Sequence, residues 1–93
     1  MATAPGNPIY LNTLANALRR QGRTDEAIEA FEQARQAMPD QPDILFNLGN
    51  ALRDGGRYAE AIDAYRASLA IQPGVVPAYN NLAITLKAMG DPE

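Results

Sequence analysis

The feature that most narrows what this chain can fold into is a match to itself at an offset of 34 residues. Moved by that amount, Pro8 falls on Pro42, Leu11 on Leu45, Leu14 on Leu48 and Asn16 on Asn50. The run Ala17-Leu18-Arg19 falls on Ala51-Leu52-Arg53, and Gly22-Arg23 on Gly56-Arg57. Glu26-Ala27-Ile28 falls on Glu60-Ala61-Ile62, Ala30 on Ala64, and Pro39 on Pro73. A second step brings Asn81, Leu82, Leu86 and Gly90 onto Asn47, Leu48, Leu52 and Gly56. A fixed period in the range of roughly 20–50 residues marks stacked structural units, each resting on its neighbours.

Within a unit the apolar spacing is helical. Leu45, Leu48, Gly49 and Leu52 fall at i, i+3, i+4 and i+7, which is one stripe of a helix. Tyr58, Ala61, Ile62, Tyr65 and Leu69 make a second stripe. Gly55-Gly56 between them suits a left-handed helix end, and Pro73 stops the second helix. Pro42 and Pro77 suit a first turn, where the missing N–H has no partner to lose. Asp25 and Glu26 sit where a helix N-terminus favours negative charge. The small residues Ala15, Gly49, Ala27 and Ala61 let helix axes approach closely. The spacing predicts helices over 8–21, 25–38, 42–54, 58–71 and 77–89. The fold class is all-α, a solenoid of antiparallel helix hairpins. The expected organisation is a flexible tail over 1–7, one unit over 8–41, a second over 42–75, and half a unit over 76–93.

Composition removes several chemistries. The chain has 93 residues, 46% hydrophobic and 20% charged, as expected of one small folded domain. A net charge of −3 argues against nucleic acid as a partner, which calls for a basic face. With no Cys and no His there is no thiolate nucleophile, no imidazole base and none of the usual zinc sites. No cofactor is expected. No apolar run approaches the ~18 residues of a membrane span, and the start MATAPGNP has no secretory-signal pattern. A cytoplasmic protein that does not bind a membrane is the default expectation. The acidic ridge Asp25, Glu26, Glu29 and Glu32 reads as a solvated outer face, because hard cations want oxygens converging from turns or several elements. The segment Arg53 to Arg57 follows a helix rather than a strand and lacks the P-loop Lys-Ser/Thr, so it reads as a helix-ending turn. No catalytic constellation is present, and an enzyme is not expected.

The pattern of large apolar, Leu-Gly or Leu-Ala, Leu, Gly, Ala, aromatic, small and Pro resembles the tetratricopeptide repeat family. It is carried by Leu11, Leu14, Ala15, Leu18, Gly22, Ala27, Phe31, Ala34 and Pro39. It returns as Leu45, Leu48, Gly49, Leu52, Gly56, Ala61, Tyr65, Ser68 and Pro73, and in half as Tyr79, Leu82, Ala83, Leu86 and Gly90. Leu stands twice where that family often has Trp, and Ser68 stands for Ala. The resemblance implies a right-handed α-solenoid whose first helices line a concave groove that holds a protein or peptide.

At 100° per residue, the face opposite the packing stripe of the first helices carries Asn12, Asn16 and Arg19, then Phe46, Asn50 and Arg53, then Asn80, Ile84 and Lys87. Asn47 and Asn81 lie beside them. These residues are the expected peptide-binding set. Asn is a poor helix former, and its amide both donates and accepts, so it can pair with a peptide main chain of any sequence. The arrangement resembles the asparagine ladder in the tetratricopeptide region of O-GlcNAc transferase. Asn47 and Asn81 occupy the ladder position, and Thr13 breaks it in the first unit. The other reading is that these amides bond neighbouring helices or water. Arg19, Arg53 and Lys87 form a basic row that would select an acidic ligand, or would simply complement helix C-termini. Chaperone-binding members use a two-carboxylate clamp. Asn16 and Asn47 fit it, whereas Asn12, Pro77 and Asn81 stand where it needs basic residues, so chaperone tails are not expected ligands.

The third unit reaches Glu93 where its second helix would begin, so Leu82, Leu86 and Met89 are expected to lack part of their packing partner. A piece of a longer array is the favoured reading. Self-association through residues 77–89 is the consequence expected for the isolated chain. The alternatives to a peptide-binding module are an accessory segment of a larger enzyme, of glycosyltransferase or sulfotransferase type, and a self-association element.

Overall fold

The computed structural model describes residues 7–90, which form five helices and, among the described residues, no strand. They are α1 (Pro8–Arg20), α2 (Thr24–Ala37), α3 (Pro42–Asp54), α4 (Tyr58–Ile71) and α5 (Val76–Ala88). Residues 1–6 of the expected tail, and 91–93 of the expected half unit, lie outside the described residues.

The helix ends follow local chemistry. Asn7, expected in the tail, caps α1: its Oδ1 accepts from the backbone N–H of Ile9 at 2.9 Å and of Tyr10 at 3.1 Å. α1 and α3 end in the same turn. Arg23 N donates to Leu18 O and Gly22 N to Arg19 O; Arg57 N donates to Leu52 O and Gly56 N to Arg53 O. This paired closure needs a left-handed residue, and Gly22 and Gly56 supply it at φ of 81° and 77°. α2 stops at Ala37, one residue before the expected end, and α4 at Ile71. Met38 and Gln72 precede Pro39 and Pro73, and clash with the proline ring drives them to φ of −138° and −135°. α2 and α4 start without a side-chain cap; instead Arg23 pairs with Glu26, and Arg57 with Glu60, through two hydrogen bonds each.

The packing follows the expected stripes. α1 pairs with α2 and α3 with α4 as hairpins, α2 lies on α3, and α4 on α5. Leu11, Ala15, Ala27, Phe31, Leu48, Leu52, Ala61 and Tyr65 belong to one buried cluster. Burying one large apolar side chain contributes ~1.5–3 kcal/mol, so a handful of these residues is enough to hold adjacent hairpins together. Ser68 fits the small position because its Oγ, buried, donates to Pro42 O at 3.0 Å.

Repeat-equivalent residues differ in burial according to what lies on either side. Leu45 is 4% exposed and Leu11 5%, but their equivalent Tyr79 is 49% exposed. Leu48 is 2% exposed, whereas Leu14, expected in the packing stripe, is 36%. α3 has a second helix packed on each side; α1 and α5 have one on a single side.

Candidate functional site

α1, α3 and α5 are neighbours, with α3 touching both others, so the first helices form one continuous side of the solenoid. On it the structure brings together two asparagine pairs. Asn47 Nδ2 donates to Asn12 Oδ1 at 3.2 Å, joining α3 to α1. Asn81 Nδ2 donates to Asn50 Oδ1 at 2.9 Å, joining α5 to α3. Asn47 and Asn81 are repeat equivalents, yet their acceptors sit one turn apart. Phe46 stands where Asn12 would be in the second unit, so Asn81 turns to the next amide along.

The expected lining residues fall into three groups. Asn12, Asn16, Asn47 and Asn81 are half-buried, and each bonded amide keeps an unused lone pair or N–H. Asn80, Ile84 and Lys87 are exposed. Asn50, expected to line the groove, is only 7% exposed, because α5 packs over it. Its Oδ1 also accepts from the Tyr65 hydroxyl, so it acts as a junction of α3, α4 and α5. Phe46 is half-buried against Tyr65, the ring centroids 6.0 Å apart and tilted by 57°.

The basic row is divided. Arg19 Nε meets Asp54 Oδ2 at 2.6 Å, across from α1 to α3. Arg53 and Lys87 form no ion pair among the described residues. The residue one unit on from Asp54 is Ala88, so the carboxylate that occupies Arg19 has no counterpart beside Arg53. The pairing of Asp54 with Arg19 depends on the stagger of α1 against α3.

The Tyr65 hydroxyl was not foreseen as part of this side. Burial raises its pKa above the ordinary tyrosine value, while the positive charge of Arg53 and the Thr85 hydroxyl act in the other direction. Thr85, fully buried, donates from Oγ1 to Asn81 O at 2.7 Å. Among the described residues no buried side-chain polar atom lacks a partner. At the N-terminal ends of α1 and α3 a shallow cavity of about 190 Å³ opens between Ile9, Asn12, Met38, Asp43 and Ile44.

The opposite side carries the acid of α2 and α4. Asp25, Glu26, Glu29, Glu60 and Asp63 are exposed, and Glu32 is half-buried and paired with Arg35. The hydrogen bonds from Arg57 lower the pKa of Glu60, and that of Arg57 rises in return. A larger hollow of about 310 Å³ lies here, but its floor of Leu45, Leu48 and Leu52 is the seam of the helix core and almost wholly buried. Among the described residues no group of three or more His, Cys, Asp or Glu could hold a metal ion. No helix of the described residues is long and apolar enough to cross a membrane.

An array of helix hairpins with this turn and this small-residue packing defines a helical-repeat scaffold. The tetratricopeptide repeat profile matches residues 12–76, and the chain belongs to that family. Among solved structures it resembles a crystal structure of MamA at 23% identity and a TM-score of 0.88, over 94% of this chain and 51% of that one. It also resembles MamA MSR-1 at 28% identity and a TM-score of 0.85, over 94% and 50%. The Sgt2 TPR domain from Aspergillus fumigatus matches at 28% identity and a TM-score of 0.87, over 95% and 60%. The chain spans about half the length of the MamA chains it matches. No curated protein matches it.

Proposed function

We propose that this chain is a non-catalytic, cytoplasmic binding module that holds an extended peptide or a partner helix on the side formed by α1, α3 and α5. The tetratricopeptide fold is that of protein–protein interaction modules, which supports a protein ligand in general. The observation that carries the finer reading is the alignment of amides across α1, α3 and α5, Asn12 with Asn47 and Asn50 with Asn81. The mutual bonds fix Asn12, Asn47 and Asn81 in place while leaving these half-buried amides donor or acceptor capacity, so less ordering cost falls on binding. An acidic ligand would meet Arg53 and Lys87 rather than Arg19, which Asp54 occupies. Such a peptide binds in the range of about micromolar or weaker, because its own ordering opposes binding.

The test is a random peptide library displayed against the chain and an Asn47→Ala/Asn81→Ala variant, with thermal unfolding of both. Peptides that bind the parent and are lost on an equally folded variant support the reading. Equal binding to both would sink the amide ladder. Enriched sequences free of acid would remove the role of Arg53 and Lys87.

A second reading has its own observation. Tyr79 and Ile84 on α5 and Met89 at its C-cap are 49%, 54% and 52% exposed, which favours self-association through residues 77–89. An accessory role beside a catalytic domain remains the alternative at the level of the whole protein.

A further inference from the structure

The apolar surface of α5 is organised, and its organisation selects a partner. Val76, Tyr79, Ala83 and Leu86 follow one another at spacings of 3, 4 and 3 and share one narrow stripe. Val76 is 63% exposed, Tyr79 49%, Ala83 is exposed and Leu86 half-buried. The stripe is distinct from the face of α5 that packs on α4, which buries Ala78 and Thr85. It is also distinct from the amide side, where Asn80, Ile84 and Lys87 lie.

The chain itself shows what covers such a stripe. Tyr79, Ala83 and Leu86 are the repeat equivalents of Leu11, Ala15 and Leu18 and of Leu45, Gly49 and Leu52. In both hairpins that surface is covered by an antiparallel helix, α2 or α4. In the second hairpin an aromatic ring sits directly on the small residue: a Cβ added to Gly49 would lie 2.7 Å from Tyr65 Cε1. A two-fold axis perpendicular to α5 delivers an antiparallel helix automatically, because a symmetric interface uses the same patch twice.

Resting on the self-association reading, we propose that the partner on this stripe is α5 of a second copy, antiparallel and centred near Asn81, with Tyr79 of each copy seated on Ala83 of the other. In this register Leu86 of one copy meets Val76 of the other, so a large residue faces a smaller one along the seam. Charge permits it. Lys87 is the one charged residue of α5. The two copies of Lys87 stand roughly 18 Å apart at a rise of ~1.5 Å per residue, well beyond the screening length of ~8 Å. A single helix pair is small against the ~1,200–2,000 Å² of stable interfaces, so the dimer is weak and forms at high concentration.

Sedimentation of the full chain, from low-micromolar to near-millimolar concentration, tests this beside four variants. The parent is expected to shift from monomer to dimer and no further. Ala83→Glu and Tyr79→Ser, both at exposed positions, should weaken the dimer at least about tenfold while circular dichroism stays unchanged. Leu14→Glu and Ala67→Glu, on other surfaces, should leave it intact. A parent that stays monomeric overturns both this proposal and the self-association reading. A dimer indifferent to Ala83→Glu and Tyr79→Ser overturns the α5 pairing alone. Open-ended masses broken by Leu14→Glu overturn it in favour of head-to-tail stacking of α5 on α1.

Discussion

The two complete hairpins have the same spacing and different chemistry at the same place. In α1–α2 the ring is Phe31, Ala15 holds the small position, and Asn16 is half-buried. In α3–α4 the ring is Tyr65, facing Gly49, with Asn50 buried. Both rings are 0% exposed. The added hydroxyl accounts for part of the difference: a buried O–H needs a partner, and Asn50 supplies it. Asn50 then also receives Asn81, so the second hairpin is bonded to α5 through a buried amide, where the first meets α3 through the half-buried Asn12–Asn47 pair and the Arg19–Asp54 ion pair. Tyr65 rests so close to α3 that a Cβ at Gly49 would force the ring to shift. Three positions that vary independently on paper are coupled in the molecule.

Four expected outcomes put this contrast to the test. Truncating each ring has the largest effect. Phe31→Ala should cost ~3–5 kcal/mol by cavity formation. Tyr65→Ala should match or exceed it, because it also removes a donor from buried Asn50. Denaturant unfolding of both measures the difference, and a clearly milder Tyr65→Ala would deny the polar junction its structural weight.

Asn50→Leu comes next. It strands the Tyr65 hydroxyl and should cost ~1–3 kcal/mol. Adding Tyr65→Phe removes the stranded group and should recover much of that loss. A double-mutant cycle reads the coupling, and simple additivity would show the two side chains to be independent.

Gly49→Ala tests the seat of the ring. Overpacking costs ~1–3 kcal/mol, and the better helix propensity of alanine returns up to about 1 kcal/mol. A net destabilisation is expected on thermal unfolding, with Ala15 at the equivalent position showing that alanine is harmless where the ring is Phe31. A Gly49→Ala chain more stable than the parent would mean that Tyr65 shifts freely.

The smallest effect is alkaline. Burial raises the pKa of Tyr65 in the folded chain above its ordinary value of about 10. Its neutral form therefore supports the fold fully below that pH, and the support is lost as pH rises through the folded value. Stability should decline above roughly pH 10, less steeply in Tyr65→Phe. Unfolding followed at a series of alkaline pH values gives the comparison, and identical slopes for both chains would exclude Tyr65 as the source.

The 34-residue self-match and the i, i+3, i+4, i+7 stripes give five helices, their turns and their hairpin pairing directly from the sequence, because those follow from residue size and backbone preference within a few neighbours. The early stop of α2 was equally local, since Pro39 acts on Met38 alone. The alignment of Asn12, Asn47, Asn50 and Asn81 along the first helices was legible for the same reason. Which of those amides are buried was not, and neither was the loss of Arg19 to Asp54. Asn16 and Asn50 are equivalent in the repeat, and Arg19 and Arg53 are too. Their surroundings differ because a charge or an amide is decided by what the adjacent unit places within about 3 Å of it. Periodicity within the chain set the elements and their order; the stagger of one helix against the next, fixed only by tertiary packing, decided which polar groups are spent inside the fold and which remain exposed.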